Sequence, residues 1–318
     1  MIDKNYNGIV EDPRSLFAKG QDYKTSDLAM GDIKLDWKEY NEEDFKPLII
    51  QNQDGSSSCV AQAVSKILAM HEIKEGKDYT RLCPKFIYTR RENYPDGGMW
   101  LPNALDIAVK HGSCPEAFMP CDNKGESFMN DKAELKACVE QASKFKGKAY
   151  FQIVGGIDEI AKVIEQGYGV LLGARFDYDE WTDVPTLHAD SKREVGHGIA
   201  GTRYCLYKGE KAIMIEDSWG PTYGKGGVRI LTESFIKNRV FYAGYITSLE
   251  DVKFIFTKTL KMGSKGLDVK MLQTKLNLTV DGIFGLKTKT AVKHFQGLHN
   301  LVPDGIVGKK TNAELNKL

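Results

Sequence analysis

No segment of this 318-residue chain approaches the length of a transmembrane helix, and no apolar run follows the charged start Met1-Ile2-Asp3-Lys4, where a signal peptide would have one. Net charge is almost absent at +1, so the chain as a whole is neither a polyanion nor a polycation. Basic and aromatic residues do not interleave, which argues against a nucleic-acid partner. Cysteine is limited to six positions, Cys59, Cys83, Cys114, Cys121, Cys138 and Cys205. If one serves in chemistry, an odd number remains and a fully paired disulfide framework is excluded. These absences point to a protein made and folded in a reducing cytosol, with free buried thiols expected and a local Cys114–Cys121 bridge left open.

What the chain does have is one cysteine in a telling place. The run Gln53-Asp54-Gly55-Ser56-Ser57-Ser58-Cys59-Val60-Ala61 is followed by Val64, Ile67, Leu68 and Met70 at helical spacing. Ser57 and Ser58 are good N-caps, so Cys59 falls in the first turn of the helix. There the unpaired N–H groups and the positive end of the dipole favour a thiolate, the form that attacks. A lone cysteine at a helix start is more often a packed core residue; the downstream sequence decides the matter.

A base and an orienter follow in order. Val195-Gly196-His197-Gly198-Ile199-Ala200 reads as a short apolar strand with one histidine, and Ile213-Met214-Ile215-Glu216-Asp217-Ser218-Trp219-Gly220 as a strand ending in an acid beside tryptophan. The separations from Cys59 are 138 residues to His197 and 158 to Asp217, close to the roughly 130–150 typical of papain-like enzymes.

With these residues the chain resembles the papain family of cysteine peptidases over about residues 33–250. Asp36-Trp37, Gln53 and Cys59 are similar to the start of the mature papain domain. Asp96-Gly97-Gly98 looks like the family's substrate-binding glycine pair, and His197 matches its base. Asp217-Ser218-Trp219-Gly220, with Gly224 and Gly227-Val228-Arg229-Ile230, matches its Asn-Ser-Trp-Gly segment. The departures are Ser56 and Val60, where the family carries a cysteine and an aromatic residue, so one family disulfide is missing, and Asp217 in place of asparagine. Residues 1–33 are too short for the family's long inhibitory prosegment and are expected to form an arm on the catalytic domain.

The resemblance implies a mechanism. Cys59 attacks an amide carbonyl, His197 takes and returns the proton, and Asp217 orients His197, with a thioester intermediate resolved by water. Gln53 and the Cys59 backbone N–H hold the oxyanion. Trp219 packs over the His197–Asp217 contact, and Gly97 and Gly98 admit a substrate backbone. An asparagine at 217 would still offer an acceptor to the ring, so the carboxylate is not obligatory on this reading.

The C-terminus contains a repeat. Asp281-Gly282-Ile283-Phe284-Gly285-Leu286-Lys287-Thr288 recurs 23 residues later as Asp304-Gly305-Ile306-Val307-Gly308-Lys309-Lys310-Thr311. Each copy reads as a tight turn leading into a helix, with Ala291, Val292, Phe295 and Leu298 at helical spacing between them. This segment resembles the three-helix peptidoglycan-binding domain over residues 262–318. Residues 256–318 hold eleven lysines and four acids, a net of +7, so the remainder carries about −6. A basic module would be drawn to anionic wall polymers.

The expected architecture is α+β: a two-lobed papain-like domain at 34–250, with a helical lobe over about 56–145 and a β lobe over about 150–245. A short join at 251–261, without any Pro/Gly/Ser-rich stretch, leads to the peptidoglycan-binding domain. The expected activity is hydrolysis of amide bonds in the peptide part of bacterial peptidoglycan, an endolysin-like arrangement acting at the cell wall after phage-type release. A wall-anchored peptidase that cleaves proteins is the alternative, and a non-catalytic wall-binding protein a third. No cofactor, metal or membrane span enters this reading, and a monomer is expected.

Overall fold

A computed structural model describes residues 8–11, 33–44, 47–133, 135–247, 259–276, 278–279, 281–315 and 317. They fall into two compact units, residues 8–11 with 33–247, and residues 259–317. Most of the arm expected at 1–33, and the join at 251–261 as far as residue 258, lie outside the described residues.

The first unit begins helical and ends as sheet. Helices α1 (Cys59–Lys74), α2 (Pro84–Tyr88), α3 (Leu101–Lys110), α4 (Glu126–Asn130) and α5 (Leu135–Ala142) precede strand β1 (Ala149–Gln152). Then come α6 (Ile157–Glu165), β2 (Val170–Phe176), β3 (Val195–Tyr207), β4 (Glu210–Glu216), β5 (Val228–Thr232), α7 (Glu233–Arg239) and β6 (Val240–Thr247). The strands make one antiparallel sheet in the order β1-β6-β2-β3-β4-β5. The strands read around His197 and ahead of Asp217 correspond to β3 and β4.

Helix α1 is the axis of the unit. Every residue from Cys59 to Ala69 is buried, so the helix is covered all round rather than along one stripe. Val60, Val64, Ile67 and Leu68 pack in one core with Phe86, Leu101, Leu105 and Leu171. Each such large apolar side chain contributes about 1.5–3 kcal/mol by leaving water. Strand β3 comes up against the start of α1 at Gly198, where an added Cβ would stand 2.9 Å from Val60 Cα and 3.1 Å from its backbone nitrogen. Glycine at 198 is therefore what lets the histidine strand touch the cysteine helix.

One local expectation changes. Ser58 does hold the N-cap position, but its side chain makes no capping bond. Its Oγ instead lies 2.7 Å from Ser56 Oγ and accepts from Gln62 Nε2 at 3.2 Å. All six cysteines are buried and none is in a disulfide, as the sequence led one to expect. Cys83 and Cys121 have sulfurs 2.6 Å apart, and Cys83 also meets Cys114, through the side chains and through its N–H, which donates to the Cys114 carbonyl at 2.8 Å.

Charge also ties helix to sheet. Lys66 of α1 bonds Glu216 at the end of β4 over 2.6 Å, with both side chains at most 2% exposed. Burial pulls the Lys66 ammonium down and Glu216 opposes it. The Leu48 N–H donates to the other Glu216 oxygen at 2.9 Å. This pair fixes β4 against α1 one residue before Asp217.

The second unit holds α8 (Leu267–Lys275), α9 (Leu286–Leu298) and α10 (Lys309–Leu315). Its sequence repeat is a repeat of one hydrogen-bond network. Gln273 Nε2 donates to Asp281 Oδ1, the Ile283 carbonyl and Thr288 Oγ1, while Gly282 N–H donates to Gln273 Oε1 at 2.8 Å. Gln296 makes the same four bonds to Asp304, Ile306, Thr311 and Gly305. Each glutamine is buried and holds an Asp-Gly turn against the helix that follows. Val269, Leu272, Phe284, Val292 and Val307 are buried beneath the turns.

Candidate active site

Three separated segments converge at the start of α1. Cys59 is the first residue of the helix and is fully buried. On β3, next to Gly198, stands His197, also fully buried; the Gly198 N–H donates to Cys59 Sγ at 3.3 Å. Asp217 follows the last residue of β4, held there by its own N–H donating to the Gly227 carbonyl at 2.8 Å.

The histidine and the acid are in contact, His197 Nε2 lying 2.7 Å from Asp217 Oδ1. The ring's Nδ1 is buried and meets no partner at bonding geometry among the described residues, which leaves it as the nitrogen available to the thiol. Burial alone would pull the imidazolium down. The charge and hydrogen bond of Asp217, with the Cys59 side chain, overcome burial and raise His197 to about 9. Burial likewise pushes the Asp217 carboxyl up, but His197 and Arg229 hold it well below the usual carboxylate range. An ionised acid beside a protonated ring is the arrangement these charges favour.

Gln53 reaches the site because residues 51–53 run antiparallel to 218–220: Gln53 N–H donates to the Ser218 carbonyl at 2.8 Å and Gly220 N–H to the Gln51 carbonyl at 3.0 Å. Its side chain is fully buried, with Oε1 accepting from Ser218 Oγ at 2.7 Å and Nε2 donating to the Ser56 carbonyl at 2.5 Å. One of the amide's two hydrogens is thus used within the loop. Trp219 lies over the histidine with ring centroids 5.0 Å apart.

Gly98 faces a groove that is filled, whereas Gly97 is exposed beside Ser57. Residues 8–11 run through the groove: Gly8 N–H donates to the Gly196 carbonyl at 3.1 Å, Met99 N–H to the Gly8 carbonyl at 3.0 Å, and Val10 N–H to the Met99 carbonyl at 3.2 Å. Gly98, at φ +73°, faces this segment, and an added Cβ there would stand 3.1 Å from the Gly8 carbonyl oxygen. A side chain on Gly8 would collide with Cys59 Sγ. Backbone groups of Met99 and Gly196 hold the segment together with the buried Ile9 side chain and an Arg175–Glu11 ion pair at 3.2 Å, and Met99 is a residue that no sequence signal marked.

Two more residues went unassigned in the sequence. Trp181 stacks on Phe176 at 4.1 Å and donates Nε1–H to Asp217 Oδ2 at 2.9 Å. Arg229 donates Nε–H to the same oxygen at 2.9 Å. The Gly227-Val228-Arg229-Ile230 match contained Arg229 without revealing where it points; Trp181 lies in a stretch that carried no motif. Among the described residues no group of three or more potential ligands is placed to hold a metal ion, and no helix is long and apolar enough to cross a membrane.

Residues 265–315 match the family described as "Putative peptidoglycan binding domain". The cysteine protease Amb a 11.0101 of Ambrosia artemisiifolia is 32% identical over 206 residues, 61% of this chain and 48% of that protein, so the chain spans about half the length of this curated relative. Xylellain, a cysteine protease from Xylella fastidiosa, superposes with a TM-score of 0.63 at 18% identity, covering 77% of this chain and 97% of xylellain. Bromelain from Ananas comosus does so with a TM-score of 0.51 at 14% identity, over 63% and 93%. The first unit therefore has the papain-like cysteine protease fold, and it is followed by a segment that matches the peptidoglycan-binding family.

Proposed function

We propose that the first unit is a papain-type cysteine peptidase, and that the second directs it to bacterial peptidoglycan, whose peptide part it cleaves. The observation that carries this reading is the meeting of Cys59 Sγ, the Gly198 N–H and the His197–Asp217 pair at the head of a buried helix. The Cys59 thiolate attacks the amide carbonyl carbon. Negative charge develops on the carbonyl oxygen, facing the remaining Gln53 amide hydrogen and the first-turn N–H of Cys59. The His197 imidazolium gives its proton to the departing amine, and a thioester forms. Water then attacks the thioester, with His197 as base, and the thiolate leaves. Asp217 stays ionised and holds the ring.

In this reading residues 8–11 compete with substrate, since the backbone of Gly8 occupies the space over the thiol. The match at 265–315 supports the wall as the place of action and, with it, an endolysin-like reading.

Mass spectrometry of fragments released from purified peptidoglycan, run beside a casein control, tests the substrate. New peptide termini in the wall fragments support the proposal. Casein cleavage with intact peptidoglycan favours the second reading, a protein-cleaving peptidase parked on the wall, for which the extended chain segment already seated in the cleft is the specific support.

A further inference from the structure

The Asp217 carboxylate receives four hydrogen bonds. Oδ1 accepts from His197 Nε2 at 2.7 Å and from the Ser218 N–H at 2.8 Å. Oδ2 accepts from Trp181 Nε1 at 2.9 Å and from Arg229 Nε at 2.9 Å. Every partner is a donor, so the site asks for acceptors on both oxygens. An asparagine brings one oxygen and one NH2. In one orientation its NH2 meets Trp181 and Arg229 donors; in the other it meets the His197 and Ser218 donors. Neither orientation satisfies the site, and a buried unsatisfied donor is costly.

Arg229 is itself held rigidly. It is 3% exposed, its NH1 donates to the Trp181 and Thr182 carbonyls at 2.9 Å each, and its guanidinium lies 5.1 Å from the Trp181 ring and 5.7 Å from the Trp219 ring. Lone burial of this cation would be expensive without a carboxylate partner. We propose that Arg229 is a positioning residue that makes position 217 a carboxylate site, so that Asp217 and Arg229 act on His197 as one unit. This inference rests on Cys59 and His197 being the reacting pair.

The charged groups around the ring are few. Cys59 and Lys66 come from α1, Glu216 and Asp217 from β4 and its end, and Arg229 from β5; Glu216 is paired with Lys66. The neighbours Phe176, Trp181 and Trp219 are uncharged. Of these groups, Arg229 is the one whose removal leaves Asp217 with an uncompensated charge beside the ring. Its loss favours the imidazolium, so the His197 titration moves upward.

The test compares Arg229→Gln, Arg229→Lys, Asp217→Asn and the double variant Asp217→Asn/Arg229→Gln with the full-length wild type. Hydrolysis of fluorescent casein and of purified peptidoglycan gives kcat/KM against pH, and NMR of 13C-labelled histidine reads the ring directly. The amide introduced by Arg229→Gln can place either an oxygen or an NH2 where Arg229 Nε stood. Arg229→Gln and Asp217→Asn are each expected to lose about a hundredfold or more, while the double variant, in which the Trp181 N–H still faces position 217, loses no more than Asp217→Asn alone. Arg229→Gln is expected to raise the His197 titration by about one unit, and Arg229→Lys, which keeps the charge and supports folding, to leave it in place. Multiplicative losses in the double variant overturn the proposal, and so does an unmoved His197 titration in a folded Arg229→Gln protein. Should Arg229→Gln fail to fold, the double variant against Asp217→Asn still decides it. Activity persisting in Cys59→Ser would instead remove the triad reading beneath it.

Discussion

Gly8 lies against Cys59 so closely that any side chain at position 8 would collide with the sulfur. The contact is made by backbone, with Gly8 bonded to Gly196 on one side and Met99 on the other. Replacing Gly8 by valine is expected to expel the segment from the cleft, and deleting residues 1–11 to remove it. Both changes should speed alkylation of Cys59 by iodoacetamide and raise hydrolysis severalfold. Equal labelling rates in wild type and deletion would show that residues 8–11 do not guard the thiol.

Cys59→Ser is expected to abolish hydrolysis while leaving the fold and wall binding intact, because an alcohol at this position lacks the accessible anion the mechanism needs. Circular dichroism and a pull-down on insoluble peptidoglycan check the second half. Residual turnover above about a hundredth of wild type would place the nucleophile elsewhere.

The titrations around His197 define a pH window. Its folded value of about 9 lies above the ordinary value, roughly 6.5 in an unfolded chain. Its contribution to stability is thus fully present below about 6.5, and is lost as pH rises through the folded value. Asp217 is depressed, so its contribution is present above roughly 3.9 and disappears as pH falls through its strongly acid folded value. Activity should therefore fall on the alkaline side near pH 9. Tm should decline over the same interval in wild type and much less in His197→Gln. Parallel declines in the two proteins would assign the alkaline loss to other groups.

The second unit has a separable role. Removing residues 255–318 is expected to cost most of the activity on intact walls and little on a soluble peptide, since surface attachment raises local concentration without touching the chemistry. High salt should weaken wall association if the +7 charge of residues 256–318 contributes. Should both activities fall together on truncation, the module is part of the catalytic fold.

Much of this protein is present in its residue order. The helix headed by Cys59, the strand bearing His197 and the strand ending before Asp217 are all legible from spacing, because each is a local pattern of burial along one element. The Asp-Gly repeat is legible too, since it encodes a local network: Gln273 and Gln296 bond turns only eight to ten residues away. The hydroxyl cap assigned to Ser57 and Ser58 was not realised, because Ser58 found side-chain partners in Ser56 and Gln62 instead.

What periodicity does not contain is which distant group meets which. Arg229 is one residue of a strand until β5 pairs with β4 and sets it against Asp217. Trp181, Met99 and Gly8 carry no local sign of their roles, and Cys121 meets Cys83 only once the chain has closed on itself. The sequence by itself determined the elements and the candidate nucleophile, base and acid. Tertiary structure alone decided that the acid is bonded by a buried cation and that residues 8–11 lie over the thiol, because both depend on long-range packing that brings complementary hydrogen-bonding groups together out of water.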